Sequence, residues 1–312
     1  MNHKTSPLVY VNILVWNGER WLKNCLDSLF NTHYDNFRIL AIDNHSTDHS
    51  LEIIRTGYPQ VELIENKKNF GFAEGHNIGI RYVLKRGADY VALLNQDIVA
   101  DPSWLRELVQ AASEYEDFGI LAPMQYDYEG KSIDSVFLRM LDYHDVFKMD
   151  RANSSALHRI HEVPKTFGAA MFFRKETFLR VGLFDPLFFI YSEEVDFFQR
   201  AQYHGIKTAV VTTSKINHWH VSSHPEKTDV LRISYFAYRN GYMAILKDPR
   251  QHFLANVRRW IGTLFQDLRE DCSSWKGLFY APFRLLLQTW LIVYMPLIAY
   301  KRSQEKKKAC YL

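Results

Sequence analysis

The sequence has few cysteines and no paired cysteine motif. Its 312 residues contain three cysteines, Cys25, Cys272 and Cys310, an odd number at wide spacing. This pattern argues against a disulfide framework and against the zinc sites that CxxC motifs form. It is typical of a protein in a reducing compartment, and we therefore expect a cytoplasmic location.

Two further features are missing: a signal-peptide pattern at the N-terminus and a strong net charge. The first residues lack a long apolar run followed by a small-residue cleavage site. The net charge is +3, and residues 301–308 (KRSQEKKK) alone carry +4, so the rest of the chain sums to −1. A nearly neutral body argues against nucleic-acid binding, whereas the basic tail suits an anionic surface.

Strand-like and helix-like segments alternate through the first 120 residues. Short, apolar, β-branched segments typical of buried parallel strands are residues 8–15, 37–42, 61–65 and 90–94. Segments with helical spacing of apolar residues are 19–31, 48–56, 77–86 and 102–115. This alternation predicts βαβ units in a Rossmann-like α/β fold, with ligands beyond the carboxyl ends of the strands.

A Gly-punctuated segment precedes the third helix. Gly71, Gly75 and Gly79 lie within GFAEGHNIG, and we predict a loop whose backbone closely approaches a ligand. The spacing is not GxGxxG, which argues against a dinucleotide-dependent dehydrogenase.

The later part of the chain divides into a mixed region and a helical region. Residues 121–228 are less regular, and 229–247 and 250–269 have helical patterns. We predict a catalytic domain over 1–228, with a nucleotide-binding half (1–120) and an acceptor half (121–228). A C-terminal helical region would cover 229–312.

Carboxylates follow two of the predicted strands. Asp97 ends LLNQD (93–97), where it would bind Mg²⁺ or Mn²⁺ together with a diphosphate, because these cations combine few carboxylates with phosphate oxygens. The alternative is a turn or helix-capping residue. Asp43 would accept a hydrogen bond from a nucleotide base, and its alternative is a cap for the helix near Asp48.

Further titratable residues lie later in the sequence. Glu193, Glu194 and Asp196 are framed by aromatic residues, so repulsion and burial would raise a carboxyl pKa toward that of a general base. The alternative is a solvated, capped helix. His218 and His220 share one face of a strand and could reach one metal, although a histidine pair of this kind is more often structural or solvent-facing.

In combination, these segments resemble the family 2 glycosyltransferases, in particular the rhamnosyltransferase-like branch. The resemblance spans about residues 8–245 and rests on motifs in the family's order at 15–29, 41–50, 66–80, 93–97, 167–205 and 238–242. It implies a GT-A fold with a mixed sheet flanked by helices. It also implies that nucleotide and donor sugar are held by Val15, Trp16, Asn17, Asp43, Asn69, Gly71, Asn77, Asn95, Gln96, Gly168 and Ala169.

The resemblance also implies the chemistry. Asn95 and Asp97 occupy the family's DxD position, so Asp97 alone would supply the carboxylate contact to metal. The family's acidic pair, usually Glu-Asp, is Glu193-Glu194 here; Glu194 is assigned as the base, with Asp196 as second candidate. His218, with His220 as rival, would complete the metal or diphosphate site.

The expected activity is inverting transfer of a sugar from a dTDP-rhamnose, UDP-sugar or GDP-sugar donor to a polysaccharide or lipid-linked oligosaccharide in cell-surface glycan synthesis. One alternative is a non-catalytic sugar-nucleotide-binding or scaffold protein, which would lose the metal and base carboxylates. Another is a nucleotidyltransferase, for which residues 15–21 (VWNGERW) make a poor phosphate loop.

Residues 275–300 are strongly apolar but contain Lys276, Arg284 and Gln288, as well as two prolines. We expect amphipathic helices on the inner surface of the cytoplasmic membrane, with the basic tail on anionic lipid. The alternative is a helical cap packed on the catalytic domain, which could also contribute to a homo-oligomer.

Overall fold

The computed structural model describes residues 6–141, 159–219, 230–273 and 275–312. Within these ranges the strands are β1 Val9–Val15, β2 Phe37–Asp43, β3 Glu62–Glu65, β4 Tyr90–Asn95, β5 Ile98–Ala100, β6 Phe118–Tyr126, β7 Ile160–Val163, β8 Ala170–Arg174 and β9 Lys207–His218. The helices are α1 Glu19–Phe30, α2 Ser50–Gly57, α3 Gly71–Lys85, α4 Trp104–Glu114, α5 Ser135–Met140, α6 Lys175–Val181, α7 Glu193–Tyr203, α8 Val230–Lys247, α9 Phe253–Cys272 and α10 Trp275–Glu305.

All the strands belong to one mixed sheet. Its order is β3-β2-β1-β4-β8-β6-β9-β5, and β7 also pairs with β9. Strands β3, β2, β1 and β4 are parallel, which confirms the predicted βαβ arrangement of the first half. The change of direction comes at β8, which is antiparallel to β4 and β6. The carboxyl ends of β1, β2 and β4 therefore meet at one edge of the sheet.

The sheet is covered on both faces, and the strand sequences reflect this. Alternate residues of β1, such as Val9 and Val11, face a core shared with α1, α2 and α4. Tyr10 faces the opposite core, shared with α3, α6 and α7. Because both faces are buried, β1 is apolar at every position except the buried Asn12 and does not alternate.

The Gly-rich segment is helical, so the predicted ligand loop is wrong. Helix α3 begins at Gly71, and Gly75 and Gly79 face the sheet. A Cβ on Gly75 would lie 2.6 Å from Leu14, and one on Gly79 would lie 2.8 Å from Ile42. These glycines therefore allow close helix–sheet packing instead of a ligand approach.

The C-terminal helices α8, α9 and α10 pack around their own apolar cluster. Trp260 of α9, Leu291 and Ile298 of α10 and Phe188 are all buried there. Helix α10 is a single helix with Pro282 and Pro296 inside it, where separate helices were expected. Within the described residues, no helix combines the length and the apolarity that a bilayer crossing requires.

The polar residues of α10 point inward. Arg284 donates to Asp271 (2.7 Å) and Asp267 (2.9 Å) of α9. Gln288 accepts a hydrogen bond from Trp260 Nε1 at 2.8 Å. Arg284 and Gln288, which interrupt the apolar sequence, therefore hold α9 and α10 together.

Candidate active site

Asp97 and His218 are brought together by strand pairing. Asp97 lies between β4 and β5, and the first residue of β5, Ile98, pairs with His218 at the end of β9. His218 Nε2 lies 3.4 Å from Asp97 Oδ1. The backbone N–H of Trp219 donates to the Asp97 carbonyl at 3.1 Å. The other histidine candidate, His220, lies outside the described residues.

The glutamate pair begins helix α7 and adjoins the segment 167–169. A Cβ built on Gly168 would lie 4.0 Å from Cβ and Cγ of Glu194. On either side of Gly168, the Phe167 ring centroid lies 5.6 Å from that of His218, and the Ala169 carbonyl accepts the Asn95 N–H at 2.9 Å. Three consecutive residues therefore connect the Asp97–His218 pair with Glu194.

Both glutamates are buried, with raised pKa values. Burial raises the pKa of Glu193 well above its usual range, and the neighbouring charge of Glu194 raises it further. Burial also raises the pKa of Glu194, although backbone hydrogen bonding and Lys165 act in the opposite direction. Among the described residues, Glu193 Oε2 has no hydrogen-bond partner. A carboxylate with a raised pKa accepts a proton more readily than an exposed one, which is the property that a general base needs.

Asp196, the second candidate for the base, is committed to ion pairs. Its Oδ2 accepts from Arg200 Nε at 2.9 Å, and its Oδ1 lies 2.9 Å from Lys247 Nζ. Lys247 also contacts Asp185 (2.5 Å) and Glu305. The hypothesis that Asp196 acts as base is therefore contradicted by its geometry: helical rotation turns it away from Gly168 and into this network.

We call this network the ion cluster. It joins α7, α8 and α10 and comprises Asp185, Asp196, Arg200, Lys247, Lys301 and Glu305. Burial alone lowers the pKa of Lys247, but attraction to its carboxylates raises it overall. Burial likewise opposes ionisation of Asp185, but Lys247 and Lys301 lower its pKa. These charges are mutually compensated.

The loops after β1 and β2 are tied together by side-chain hydrogen bonds. Asp43 accepts the backbone N–H groups of His45 and Ser46, both at 3.1 Å, so it organises its own turn and does not cap α2. Asn17 adopts a positive φ of 47°, and its Oδ1 accepts the Thr47 N–H at 2.8 Å. The side chain of Val15 is in the core, and its carbonyl accepts from Asn44.

Gln96, which was expected to contact the donor, forms hydrogen bonds to the loop after β1. Its Oε1 accepts the Trp16 N–H at 2.9 Å, and its Nε2 donates to the Trp16 carbonyl at 3.0 Å. Gly18 makes room for it, since a Cβ there would lie 2.2 Å from Gln96 Oε1. The Gln96 amide thus fixes the loop after β1 and is not directed at a ligand.

Three of the residues expected to line the donor make structural contacts. Asn77 is fully buried, and its amide bonds to both the N–H (3.0 Å) and the carbonyl (2.9 Å) of Phe184. Gly71 has φ 77° and lies against Phe189, where a Cβ would meet the carbonyl at 2.1 Å. Asn69 holds the start of α3, accepting from the Gly71 N–H at 2.8 Å.

Asn44 is a site residue that the sequence did not single out. Its Oδ1 accepts the Phe70 N–H at 3.0 Å, and its Nδ2 donates to the Asn69 side chain and the Gly71 carbonyl, both at 3.0 Å. It thereby fixes the segment before α3 beside the end of β2. The only available signal was its position directly after Asp43 at a strand end.

The Asp97–His218 pair fits part of a divalent metal site. Asp97 Oδ1 makes no hydrogen bond within the described residues, and a carboxylate with an imidazole suits Mn²⁺ or, with phosphate oxygens, Mg²⁺. No group of three His, Cys, Asp or Glu residues in the described ranges forms a complete protein site. Further ligands would have to come from substrate, water or residues outside those ranges.

The glycosyl transferase family 2 profile matches residues 10–177, and the chain therefore belongs to that family. An uncharacterized glycosyltransferase of Haemophilus influenzae is 33% identical over 109 residues, 34% of this chain and 33% of that protein. The match thus spans about a third of that relative's length. A low-salt glycan biosynthesis hexosyltransferase of Haloferax volcanii is 22% identical over 257 residues, 82% of this chain and 75% of that protein.

A third relative is the N-acetylglucosaminyl-diphospho-decaprenol L-rhamnosyltransferase of Mycobacterium tuberculosis, 24% identical over 205 residues, 58% of this chain and 66% of that protein. Two solved structures share the fold. S. aureus TarS 1–349 with UDP gives a TM-score of 0.53 at 12% identity, covering 80% of this chain and 68% of that one. GalNAc-T7 with UDP, GalNAc and Mn²⁺ gives a TM-score of 0.58 at 16% identity, covering 78% of this chain and 48% of that one. The expected GT-A fold is confirmed.

Proposed function

We propose that this family 2 glycosyltransferase is an inverting, metal-dependent hexosyltransferase that uses a nucleotide-diphosphate sugar. The observation that carries the proposal is the segment 167–169, which adjoins the Asp97–His218 pair at one end and Glu194 at its centre. Donor and acceptor groups bound on this segment would lie between a site for the diphosphate and a buried carboxylate. We also propose the division into a catalytic domain (1–228) and a C-terminal helical region (229–312).

The proposed mechanism assigns separate tasks to the two acid sites. Glu194 takes the proton of an acceptor hydroxyl at a carboxylate oxygen, so that the hydroxyl oxygen attacks the anomeric carbon opposite the diphosphate. A divalent cation held by Asp97 and His218 would neutralise charge on the departing diphosphate. Gly168 leaves space beside Glu194, and the loops after β1 and β2, with Asn17 and Asp43, hold the nucleotide.

The ligands of the structural neighbours support the donor and the metal in this proposal. TarS binds UDP, and GalNAc-T7 binds UDP, GalNAc and Mn²⁺. The Haloferax volcanii relative is named for glycan biosynthesis, and the Mycobacterium tuberculosis relative is named for rhamnosyl transfer with a diphospho-decaprenol substrate. We therefore propose a polysaccharide or lipid-linked oligosaccharide acceptor in cell-surface glycan synthesis, with dTDP-rhamnose, a UDP-sugar or a GDP-sugar as donor.

A donor screen tests the activity. The full chain is incubated with UDP-, GDP- and dTDP-sugars and Mn²⁺ or Mg²⁺, and release of nucleoside diphosphate is measured with and without glycan acceptors. We expect release with one donor class and loss of release when the metal is chelated. Donor binding without release under any of these conditions would favour the non-catalytic scaffold alternative.

Two single variants test the site within that assay. We expect Asp97→Ala and Glu194→Ala each to abolish transfer while circular dichroism and the melting temperature show a folded protein. Each removes a group that would act on the transition state, and loss of one general base typically costs about 10²–10⁴-fold in rate. Turnover like that of the wild type in either variant would remove that residue from the site.

We also propose peripheral contact with the inner face of the cytoplasmic membrane through α9 and α10. From residue 285 to residue 300 the sequence contains no Asp, Glu, Lys or Arg, and the outward face of α10 presents Leu286 (67% exposed), Val293 (73%) and Tyr300 (61%). On α9, Leu254 and Phe265 are exposed on a face that also carries exposed arginines. An uncharged face flanked by cations suits an anionic lipid surface.

Flotation with vesicles tests this contact. We expect binding to vesicles containing phosphatidylglycerol and weaker binding to phosphatidylcholine alone or in high salt, because the basic tail is screened. The double variant Leu286→Asp, Val293→Asp should lose binding, whereas Tyr115→Asp, at an exposed aromatic following α4, should retain it. The opposite result would be a wild-type protein that does not bind vesicles but forms a dimer, which the double variant dissociates. That result would contradict the membrane proposal and favour the oligomer.

A further inference from the structure

The turn that precedes the glutamate pair is strained. Tyr191 and Ser192 adopt positive φ values of 68° and 66°, and helix α7 begins at the next residue, Glu193. Left-handed conformations are costly for residues other than glycine and persist only where the surroundings impose them. The direction in which α7 presents its first two side chains depends on this turn.

One buried side chain holds the turn. Asn240 of α8 is fully buried, and its Nδ2 donates to the carbonyls of Ile190 (2.7 Å) and Tyr191 (3.0 Å). Its Oδ1 accepts from Arg239 Nε at 2.8 Å, which fixes the orientation of the amide.

The preceding residues are held from both sides. Arg239 also donates to the Leu187 carbonyl at 3.2 Å. From the opposite side, the Phe72 N–H donates to the Phe189 carbonyl at 2.7 Å. The segment 187–191 is therefore fixed between α8 and the start of α3, and Asn240 holds the carbonyls of the two residues before Ser192.

We propose that Asn240 is a positioning residue, which imposes the left-handed turn at Tyr191 and Ser192 and thereby sets the place of the Glu194 carboxylate beside Gly168. This inference rests on the proposed role of Glu194 as base. Asn240 does not touch substrate in this arrangement. It acts through the two carbonyls that it binds, and its loss would let the turn relax and Glu194 move.

The chain offers a matched control in Asn256. It is also a buried asparagine, and its Nδ2 likewise donates to two carbonyls, those of Leu246 (3.2 Å) and Asp248 (2.7 Å). Those carbonyls lie at the end of α8, on either side of Lys247 of the ion cluster, and not in the turn that precedes Glu193. Asn240→Ala and Asn256→Ala therefore remove the same kind of contact, and only one of them should alter catalysis.

The experiment compares kcat, its pH profile and nucleotide binding in full-length variants. Binding is measured with UDP, GDP or dTDP, according to the donor that the screen selects. We expect Asn240→Ala to lower kcat about 10- to 100-fold, because small displacements of a reacting group have effects of this size. Nucleotide binding should be unchanged. The acidic limb of the profile should move to lower pH as Glu194, flanked by Glu193 and Lys165, becomes more hydrated.

A second-site variant tests the strained turn directly. Glycine adopts a positive φ without strain, so Ser192→Gly in the Asn240→Ala background should restore part of the lost kcat. Three results would each overturn the inference. The first is a folded Asn240→Ala protein with the kcat and pH profile of the wild type. The others are an equal loss of kcat in Asn256→Ala and the absence of rescue by Ser192→Gly. An active Glu194→Ala protein would instead refute the proposed function, so the two failures are distinguishable.

Discussion

Two groups of buried acids lie within one turn of helix α7, and they differ in what surrounds them. Glu194 adjoins Gly168 and Glu193, and burial raises the pKa values of both glutamates. Asp196 lies in the ion cluster, bonded to Arg200 and close to Lys247. A buried charge is tolerated when it is paired, whereas an unpaired carboxyl shifts its pKa. The comparison separates acids available for proton transfer from acids that stabilise the fold.

The same comparison explains how the C-terminal helices relate to the site. The ion cluster joins α7 to Lys247 at the end of α8 and to Lys301 and Glu305 of α10. The helix that carries the glutamate pair is therefore anchored, within the same turn, to the region proposed to meet the membrane.

The largest expected effect comes from a comparison of one variant of Glu194 with one variant of Asp196. Glu194→Gln should lower kcat about 10²–10⁴-fold and leave the protein folded, because it removes the proposed proton acceptor. Asp196→Asn should do the reverse: kcat stays close to wild type, and the free energy of unfolding falls by about 3 kcal/mol as Arg200 and Lys247 lose a partner. Steady-state kinetics gives kcat and urea denaturation gives the free energy of unfolding for both variants. The same change in kcat and in stability for both would contradict the separate roles of Glu194 and Asp196.

Removal of the central cation of the ion cluster should have the largest effect on stability. Lys247→Met leaves Asp185, Asp196 and Glu305 without it, and we expect a loss of about 3–5 kcal/mol in unfolding free energy. Lys301→Met is the matched control. The Lys301 ammonium pairs with the carboxylate of Asp185, lies over the Tyr311 ring and is partly exposed, so its removal should cost about 1 kcal/mol. Similar losses in both would mean that the cluster is not centred on Lys247.

The smallest expected effect concerns pH and Glu193. The pKa of Glu193 is raised in the folded state. Its contribution to the free energy of unfolding is therefore fully present below the usual pKa of glutamate and is lost as the pH rises through the folded-state pKa. Glu193→Gln cannot ionise, so its stability relative to wild type should be greater at pH 8 than at pH 4. Denaturation curves at both values check this; a difference independent of pH would contradict it.

Sequence reasoning was most accurate where a residue's role follows from local pattern. The strand Val9–Val15 and the helix Glu19–Phe30 differ from their predicted bounds by one residue at one end. It failed at the Gly-rich segment, because glycines that allow close packing and glycines that admit a ligand are the same in sequence. The amides of Asn77 and Gln96 bond to the backbone of Phe184 and Trp16, contacts that the sequence does not reveal because an amide forms the same bonds to backbone as to a ligand.

By itself, the sequence determined the family, the parallel βαβ half of the sheet and the residues that carry charge at the strand ends. These depend on periodicity and on motifs read along the chain. Only the tertiary structure decided which acid of the Glu193–Asp196 segment meets cations and which adjoins Gly168, and whether the polar residues of α10 face outward. The reason is physical: solvation and charge compensation depend on neighbours supplied by distant parts of the chain, such as Lys247 for Asp196 and Asp271 for Arg284.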